Sequence, residues 1–434
     1  MTSDPTETTS PDTLEGWLQY IERVHPQGIA MGLERVARVR DALGLVPRFV
    51  VITVGGTNGK GSACALLESI LHHAGYKVGC YTSPHILRYN ERVRIGRREA
   101  DDADLVRAFH AVERARGDTS LTYFEFGTLA AVRLFAEARV DVAILEVGLG
   151  GRLDAVNAFD ADCALVMSVA LDHMEYLGPT RETIGFEKAG IFRGGRPAIC
   201  GDPDPPSSLR ARASATGARL LVRGVDFSFI SDRSQWRYEG PGGSRHGLPH
   251  PVLRGTHQLA NASACIAALD TLRERLPVTM GNIRAGLLDA ETPARFQVLP
   301  GQPAVILDVA HNPAAAEALA ATLAQMGDRG RTLGVFAMLR DKDIDGVIAA
   351  IEKHIDHWFV APIDAPRGAE AGRIAQALRE ARVRGAVTVC QDIAQAYAQA
   401  CEIATQNDKI LAFGSFYTVA AVMAARVKRR LPLA

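Results

Sequence analysis

Residues 51–62 read VITVGGTNGKGS, in which an apolar, β-branched run passes directly into a glycine-rich turn. The helical pattern ACALLESILHHAG follows, so the local order is strand, turn and helix. The turn departs from the usual phosphate-loop pattern, because Val54 replaces the first glycine and Gly61 separates Lys60 from Ser62. The stretch therefore admits two interpretations, a variant nucleotide-binding loop or a tight turn that carries a solvated lysine.

The chemistry of this turn favours polyphosphate. Glycines leave backbone N–H groups unobstructed, and the helix that begins near Ser62 adds the positive end of its dipole. Lys60 supplies a cation, and the Ser62 hydroxyl is a potential magnesium ligand. The sequence thus predicts a nucleotide-binding loop whose N–H donors come from glycines at positions 55, 56, 59 and 61.

Short apolar runs alternate with helical segments on both sides of this loop. The runs KVGCYT, DVAILEVG, CALVMSVA and RPAIC are typical of buried strands, and their alternation with helices predicts a mainly parallel sheet covered on both faces. Residues 220–256 are polar, aromatic and rich in glycine, which predicts an antiparallel excursion. Two helices should precede the loop: one capped by Asp12 with Leu14, Trp17, Leu18 and Ile21 on its apolar face, and one at residues 33–43.

A second α/β unit starts after TPARFQVLPGQP at residues 292–303. Its runs AVILDV, RTLGVFAML, HWFVAPI, AVTVC and KILAFGS alternate with alanine-rich helices. The proline and glycine residues between 293 and 303 indicate the joint. We therefore expect an α/β protein with a P-loop-type, mainly parallel sheet domain at residues 1–297 and a smaller, Rossmann-like α/β domain at residues 298–434.

The composition excludes several classes of protein. The 434 residues exceed one ordinary core, and 49 basic residues balance 49 acidic ones, so no basic field for nucleic acid is present. No uninterrupted apolar run approaches the roughly 18 residues of a spanning helix, so we expect no membrane association. The N-terminus lacks the features of a signal peptide, and the seven cysteines form no CxxC pair. A cytoplasmic protein with buried, reduced thiols is expected.

Polar side chains that follow the predicted strands form a candidate site. Ser83 follows KVGCYT, and Glu146 ends DVAILE, where an unpaired buried carboxylate would be costly. Glu146 either binds a metal ion or pairs with Arg152, and the segment alone leaves both open. His173 could be a ligand or a surface histidine, and Lys188 could be a solvated partner of a carboxylate on its helix. A shared sheet edge would gather Ser62 and these side chains around magnesium or manganese at a nucleotide.

The second unit offers Asp308 and His311 in LDVAHNP, at a strand-to-helix junction. Asn312 and Pro313 suit the N-cap and first turn of the helix, which is a purely structural interpretation. The functional alternative is that this junction faces the glycine-rich loop across a cleft between domains. Arg295, at the joint, could then reach a phosphate.

Nine motifs now carry a resemblance: VGGTNGKGS, TSPH, LTYFEFGT, EVGLGGRLDAVN, LDH, EKAGIFR, PARFQ, LDVAHNP and FGSFYTVA. In this order they resemble the folylpolyglutamate synthases, and more closely the bacterial bifunctional dihydrofolate synthase/folylpolyglutamate synthases, of the Mur-ligase superfamily. The resemblance implies an ATP-dependent ligase of folate biosynthesis and one-carbon metabolism. ATP would phosphorylate a carboxylate of dihydropteroate or of a reduced folyl-glutamate, and the amine of L-glutamate would displace phosphate.

The resemblance also implies the roles of individual residues. The phosphates would be held by the loop, the first magnesium ion by Ser83 and Glu146, and the second by Glu146 and His173. Lys188 falls where the family carries a carbamylated lysine, a group that replaces a cation by a carboxylate-like acceptor. The loop residues in question are Gly59, Lys60, Gly61 and Ser62, and the expected catalytic residues are Lys60, His173, Lys188 and His311.

The remaining implied roles concern ATP and the pteridine. Asn261, Arg295 and Asp308 match ATP-contacting positions. Potassium could be a further cofactor. Phe124 could stack on the flat pteridine ring. Residues 28–30, GIA, offer no polar side chain, so contact there would be through the backbone. The full set of implied pteridine contacts is Gly28, Ile29, Ala30, Thr122, Tyr123, Phe124, Glu125, Leu153, Asp154 and Ala155.

Two other functions compete with this one. A ligase of peptidoglycan precursors would handle UDP-linked substrates, for which we see no dedicated N-terminal domain. A nucleotide-binding switch would hydrolyse ATP slowly and use its second α/β domain to bind a partner. Only a glutamate ligase requires L-glutamate and an acceptor for ADP release, and we expect that ligase to act as a monomer.

Overall fold

The computed structural model describes residues 11–232, 234–326 and 330–430, so residues 1–10 of the predicted first domain lie outside the description. Two helices precede the first strand, as predicted. Their bounds are α1 (Leu14–Val24) and α2 (Glu34–Ala42).

The cap of α1 differs from the prediction. Thr13, and not Asp12, is the capping residue, and its hydroxyl accepts the N–H of Gly16 at 3.2 Å. Thr13 has an extended backbone immediately before the first helical residue, which is the position from which a short side chain reaches the N3 amide. Trp17 and Ile21 are buried on the inner face of the helix, as their spacing predicts.

The first sheet has eight strands in the order β4-β3-β2-β5-β1-β6-β7-β8. Neighbouring strands from β2 to β8 in this order are parallel, whereas β3 and β4 add an antiparallel edge that we did not predict. Because β1 lies between β5 and β6, the carboxyl ends of three buried strands meet beside the glycine-rich turn. The strands are β1 (Val50–Gly55), β2 (Val78–Tyr81), β3 (Val93–Ile95), β4 (Arg98–Glu99), β5 (Val142–Glu146), β6 (Cys163–Val166), β7 (Pro197–Cys200) and β8 (Arg219–Val222).

Helices cover both faces of this sheet, as predicted. One hydrophobic core lies under α1, α4 and α5, and a second lies under α3, α9 and α10. Residues 228–248 form the predicted antiparallel excursion, a sheet of β9 (Ser228–Ser231), β10 (Trp236–Gly240) and β11 (Gly243–Leu248). The helices are α3 (Lys60–His73), α4 (Asp102–Arg116), α5 (Tyr123–Ala138), α6 (Met174–Leu177), α7 (Arg181–Lys188), α8 (Ser207–Thr216), α9 (His257–Thr271) and α10 (Met280–Asp289).

The second unit is the expected smaller α/β layer, with six strands in the order β12-β13-β17-β14-β15-β16. All neighbours are parallel except the edge strand β12. Its strands are β12 (Gln297–Leu299), β13 (Ala304–Leu307), β14 (Thr332–Phe336), β15 (His357–Val360), β16 (Ala386–Val389) and β17 (Lys409–Phe413). Its helices are α11 (Pro313–Gln325), α12 (Ile344–Ile351), α13 (Ala371–Glu380), α14 (Ile393–Ile403) and α15 (Phe416–Arg430).

The boundary between the units at residues 297/298 stays a prediction. Gln297 opens β12 of the second sheet, and Phe296 packs in the core of the second unit, so the residues just before the predicted boundary, Arg295 among them, are grouped with the second unit below. In the part of the chain that the structure describes, no helix combines the length and the apolar character needed to cross a membrane.

Candidate active site

A cavity of about 750 Å³ lies at the carboxyl edge of the first sheet, between the two units. Every residue predicted to bind phosphate, metal or ATP, or to act in catalysis, lines this one cavity. The first unit supplies Gly59, Lys60, Gly61, Ser62, Ser83, Glu146, His173, Lys188 and Asn261, and the second supplies Arg295, Asp308 and His311.

The glycine-rich turn presents an uncapped helix end to this cavity. Helix α3 begins at Lys60 without a side-chain cap, so its first N–H groups are those that an anion can accept. Gly59 has a φ of +89°, and a Cβ there would lie 2.7 Å from Oδ1 of Asn261. Only glycine satisfies both requirements at this position.

Lys60 faces the cavity and bends back over its own loop. Its Nζ donates to the carbonyl oxygens of Gly56 at 3.0 Å and Thr57 at 3.1 Å. Burial lowers the pKa of this lysine, against the opposing charges of Glu146 and Asp172. The ammonium group is thus held beside the helix end, in contrast to the alternative of a solvated lysine.

Glu146 does not pair with Arg152, which was one of the two open interpretations. Its side chain is buried, 3% exposed, and its Oε2 accepts the backbone N–H of Ser83 at 3.0 Å. Arg152 instead binds Glu187 at 2.9 Å, because the chain turns back to bring α7 against residues 150–152. Burial raises the pKa of Glu146, while Lys60 opposes that shift. A cation at this carboxylate would offset the cost of burying it.

Lys188 is not the solvated lysine of the alternative interpretation. It ends α7 with only 4% of its surface exposed, and its Nζ makes no hydrogen bond among the described residues. Burial, followed by the charge of Lys60, lowers the pKa of Lys188 to about 7. A substantial fraction of this amine is therefore neutral near neutral pH.

Asp172 connects the two units. Its Oδ1 accepts Nζ of Lys342 at 2.6 Å, its Oδ2 accepts Nδ2 of Asn312 at 3.2 Å, and Nε2 of His311 lies 3.5 Å from Oδ2. Although burial alone would raise it, the pKa of Asp172 is held well below its usual range by His311, His173 and Lys342. One buried carboxylate of the first unit thus faces three side chains of the second.

Lys342 is a site residue that sequence reasoning missed. Its Nζ also lies 3.2 Å from Nε2 of His173, and burial, together with the charge of Lys342, lowers the pKa of His173 to about 4. Lys342 lies in the loop after strand β14 of the second sheet, in which Asp308 likewise follows strand β13, and that position was the available signal.

The residues of LDVAHNP have both of the roles that we considered: some cap the start of a helix, and some line the cavity. Asn312 caps α11 by accepting the N–H of Ala315 at 2.9 Å, and Pro313 is the first helical residue. The carboxylate of Asp308 accepts the N–H groups of Phe296 and Ala310, both at 2.8 Å, and burial raises its pKa. Asp308 therefore fixes the local backbone in addition to lining the cavity.

One end of the cavity lies between α9 and α11. The sequence did not predict three of the residues there, Gln258, Ala318 and Thr322. Nε2 of Gln258 donates to the Ser62 hydroxyl at 3.3 Å, and Gln258 accepts Nδ2 of Asn261 at 2.9 Å. Facing them on α11 are Ala318 and Thr322. The Arg295 guanidinium lies 5.4 Å from the centre of the Phe416 ring at the same edge.

None of the ten residues expected to contact a pteridine is among the described residues that line the cavity. Thr122 and Glu125 form a capping box at the start of α5, and Glu125 also binds Arg35 at 2.8 Å. Phe124 packs behind the cavity wall, where a Cβ on Gly148 would lie 2.8 Å from its ring. Phe124 with its neighbour Tyr123, and Asp154, which accepts the N–H of Leu149, thus form a second cluster behind the 148–150 segment of the wall.

Two members of this cluster have unusual surroundings. Asp154 accepts the N–H groups of Leu149 and Val156, and burial raises its pKa to about 7. Tyr123 lies 5.4 Å from the guanidinium of Arg92, which does line the cavity. Arg92 and Leu149, which donates its N–H to Asp154 and lines the cavity, therefore link the cavity to this cluster.

The metal-binding capacity of the site depends on oxygen donors and not on a protein cage. Within the described residues, no group of three or more His, Cys, Asp or Glu side chains converges as a metal site. Magnesium usually takes one or two carboxylates and completes its shell with water and phosphate oxygens. The adjacent Ser83 and Glu146, in the same cavity as the uncapped start of α3, fit that mode.

Two family models match the chain. The Mur ligase middle domain covers residues 54–269, and the Mur ligase glutamate ligase domain covers residues 294–416. The chain is 46% identical over 418 residues to the dihydrofolate synthase/folylpolyglutamate synthase of Escherichia coli K12, an alignment that covers 96% of each protein. It is 38% identical to the protein of the same name from Haemophilus influenzae, over 95% of this chain and 97% of that protein.

Solved structures agree with these relatives. Escherichia coli FolC in complex with DHPP and ADP has a TM-score of 0.92 at 46% identity, over 97% of this chain and 99% of that chain. A bifunctional folylpolyglutamate synthase/dihydrofolate synthase with Mn, AMPPNP and L-glutamate bound has a TM-score of 0.89 at 46% identity, over 96% of this chain and all of that one.

Proposed function

Because the chain belongs to the dihydrofolate synthase/folylpolyglutamate synthase family of Mur ligases, we propose how its own residues perform the reaction of that family. The enzyme is an ATP-dependent ligase that joins L-glutamate to folates. The observation that carries the proposal is that the phosphate loop, Glu146 and Lys188 share one cavity with Arg295, Asp308 and His311 of the second unit.

The reaction proceeds in two balanced steps. A carboxylate oxygen of dihydropteroate or of a reduced folyl-glutamate attacks the γ-phosphorus of ATP, which gives an acyl phosphate and ADP. The amine of L-glutamate then attacks the acyl carbon, phosphate leaves, and the amine loses a proton. Phosphorylation is needed because a free carboxylate is a poor electrophile. Both acceptors, and a γ-linked product, belong to the proposal.

The phosphate loop binds and orients ATP. The uncapped N–H groups at the start of α3 donate to the phosphate oxygens, and Lys60 exchanges the carbonyls of Gly56 and Thr57 for a phosphate oxygen. This exchange moves a cation toward the charge that develops as the γ-phosphoryl group leaves. Arg295 and Asn261 lie within the same cavity and complete the nucleotide contacts.

Divalent cations would be held by Ser83 and Glu146 at one site, and by Glu146 with His173 at a second. When bound, magnesium neutralises phosphate charge and polarises the phosphoryl oxygens. Two sites, and potassium as an additional cofactor, are proposed from the family resemblance and from the buried Glu146 carboxylate.

Lys188 is proposed to be carbamylated. Its pKa of about 7 leaves a neutral amine that can add to CO₂, and the buried position protects the product from solvent. The resulting carbamate is an acceptor at a place where the unmodified lysine has no hydrogen-bond partner among the described residues. A negative group there would also stabilise the nearby charge of Lys60, which now lowers the pKa of Lys188.

The acceptor is proposed to enter beside residues 148–150, where the cluster of Phe124 and Asp154 lies behind the wall. For the pteridine to reach Phe124, the Gly148 segment or the ring of Phe124 has to move, because the two are in contact. His311 and Asp308 of the second unit line the same cavity, and we propose that His311 acts in catalysis and that Asp308 contacts ATP.

One assay separates this function from its competitors. The purified enzyme is given ATP, magnesium, L-glutamate and either dihydropteroate or tetrahydrofolate, and ADP release is measured. A folate ligase sustains ADP release over many turnovers only when both glutamate and acceptor are present, because the first step alone gives at most one ADP per enzyme. ADP release that is indifferent to both would indicate a nucleotide switch, and a requirement for a UDP-linked acceptor would indicate a ligase of peptidoglycan precursors.

The assembly and location of the enzyme are also proposals. We propose that the enzyme acts as a monomer. A cytoplasmic location agrees with the seven cysteines, all of which are free thiols.

A further inference from the structure

The Nε2 atom of His173 has two competing uses. In the structure it lies 3.2 Å from Nζ of Lys342, which also donates to Oδ1 of Asp172 at 2.6 Å. Under the proposed function, the same imidazole is a ligand of the second divalent cation. A neutral imidazole has one acceptor nitrogen, so its lone pair can serve an ammonium N–H or a metal ion, and not both.

The surroundings make Lys342 a strong occupant of this position. Its side chain is 6% exposed and that of Asp172 is 8% exposed, so the pair is largely withdrawn from water. Charge-assisted hydrogen bonds are stronger than neutral ones. Water screens them less inside a protein than at its surface. The ammonium therefore supplies positive charge beside the carboxylate of Asp172.

The contacts of Lys342 with Asp172 and His173 also join the two units. It belongs to the loop after β14 of the second unit, whereas Asp172 and His173 follow β6 of the first. Asn312 and His311, which also belong to the second unit, contact the other carboxylate oxygen of Asp172, Oδ2. Displacing Lys342 thus leaves Asp172 partnered, and the contact between the units persists.

We propose that Lys342 is an internal stand-in for the second divalent cation. Its ammonium group, held by Asp172, occupies Nε2 of His173 until the cation displaces it. This competition sets the affinity of the second cation site. The inference rests on the proposed role of His173 as a metal ligand. Lys342 is a positioning residue in this scheme, since it acts through His173 and Asp172. Its consequence is a second cation site that is weaker than its ligands alone would make it.

The test measures cation binding directly. Mn²⁺ is titrated into the enzyme with AMPPNP, and free Mn²⁺ is followed by its electron paramagnetic resonance signal. Lys342→Met removes the ammonium but keeps the length of the side chain, and the weaker Mn²⁺ site should tighten about tenfold, the scale of one lost charge-assisted hydrogen bond. Lys342→Arg keeps the charge and the donors, so its affinity should stay near that of the wild type.

Controls separate this inference from the proposed metal site. Lys353→Met removes an exposed lysine of the same unit and should change nothing. His173→Ala should weaken the second site and abolish the effect of Lys342→Met in the double variant. Lys342→Leu, which also removes the ammonium and every N–H donor, gives the same measurement if the methionine variant does not fold.

The outcomes are distinct. Unchanged or weaker Mn²⁺ binding by Lys342→Met, while His173→Ala loses the second site, overturns the stand-in role and leaves the proposed function intact. Full binding of both Mn²⁺ ions by His173→Ala overturns the metal assignment, and the inference with it. Tightening in Lys342→Met alone, lost in the double variant, supports both.

Discussion

Asn58 and Asn312 exchange two hydrogen bonds between their side-chain amides, each 3.0 Å long, across the cleft between the two units. Asn58 belongs to the phosphate loop, and Asn312 caps the first helix of the second unit. Nδ2 of Asn312 also donates to Asp172. The nucleotide loop is therefore joined directly to the second unit, so the position of that unit affects the geometry of the site.

Asn312→Asp should uncouple the two units without removing the helix cap. The aspartate keeps an oxygen for the N–H of Ala315 but loses the donor to Asn58 and places a second carboxylate next to Asp172. We expect kcat/KM for ATP to fall about tenfold, as for a lost charge-assisted bond of 1.5 kcal/mol or so. Steady-state kinetics measure kcat/KM, and calorimetry measures the stability of the protein.

A matched variant identifies the cause. Asn312→Ala removes the cap as well, and it should lower the stability of the protein by about 1 kcal/mol, the usual cost of such a loss. If Asn312→Asp were as active as the wild type, the contacts across the cleft would have no part in ATP use.

Lys60→Ala should eliminate most ADP formation. The substitution removes the ammonium that lies beside the uncapped end of α3, and loss of one such group typically reduces turnover by a factor on the order of 10²–10³. Coupled-enzyme assays of ADP release measure the effect. Lys77→Ala, at an exposed lysine of the same unit, should leave turnover unchanged. Near-normal turnover of Lys60→Ala would remove the loop lysine from the mechanism.

Local pattern predicts most of the site because parallel strands end at a common edge. Lys60, Ser83 and Glu146 each follow a buried strand, so their meeting in one cavity follows from the alternation of strands and helices. Lys342 follows β14 in the same way, but its pairing with Asp172, 170 residues away, depends on how the two units face each other. No local pattern encodes that relationship.

Other differences have similar physical reasons. Arg152 pairs with Glu187, 35 residues away, because a turn of the chain brings α7 back to it, and charge type alone could not choose between Glu187 and Glu146. The edge strands β3, β4 and β12 have three residues or fewer, too few for a periodic apolar pattern to appear. The position of the pteridine cluster behind the wall depends on side-chain packing against Gly148, which the motif does not describe.

Lys188 should respond to CO₂ and to pH in a defined direction. Its amine has a pKa of about 7. The neutral form, which adds to CO₂, is therefore about a tenth of the total at pH 6 and about nine-tenths at pH 8. We expect enzyme kept at pH 6 without CO₂ to lose activity, and bicarbonate at pH 8 to restore it. Intact-mass spectrometry or crystallography under native conditions would detect the carbamate.

Substitution gives an independent test of the same group. Lys188→Ala should lose most activity, and small carboxylates such as acetate or formate should restore part of it by occupying the vacated space. Lys188→Arg should remain inactive with these acids, because its side chain fills the space and stays cationic. Active enzyme that contains only unmodified lysine would contradict the carbamate.

Gly59→Ala and Gly75→Ala form a matched pair that tests the geometry of the loop. Both glycines have a φ close to +90°, so either substitution should cost the protein about 1–2 kcal/mol of stability through backbone strain. At Gly75 a Cβ meets no atom within 4 Å, whereas at Gly59 it lies 2.7 Å from Oδ1 of Asn261. Gly59→Ala should therefore also displace the start of α3 and abolish AMPPNP binding in calorimetric titrations, while Gly75→Ala should bind the nucleotide as the wild type does. Equal binding by the two variants would show that close packing between the loop and Asn261 is not required for the nucleotide site.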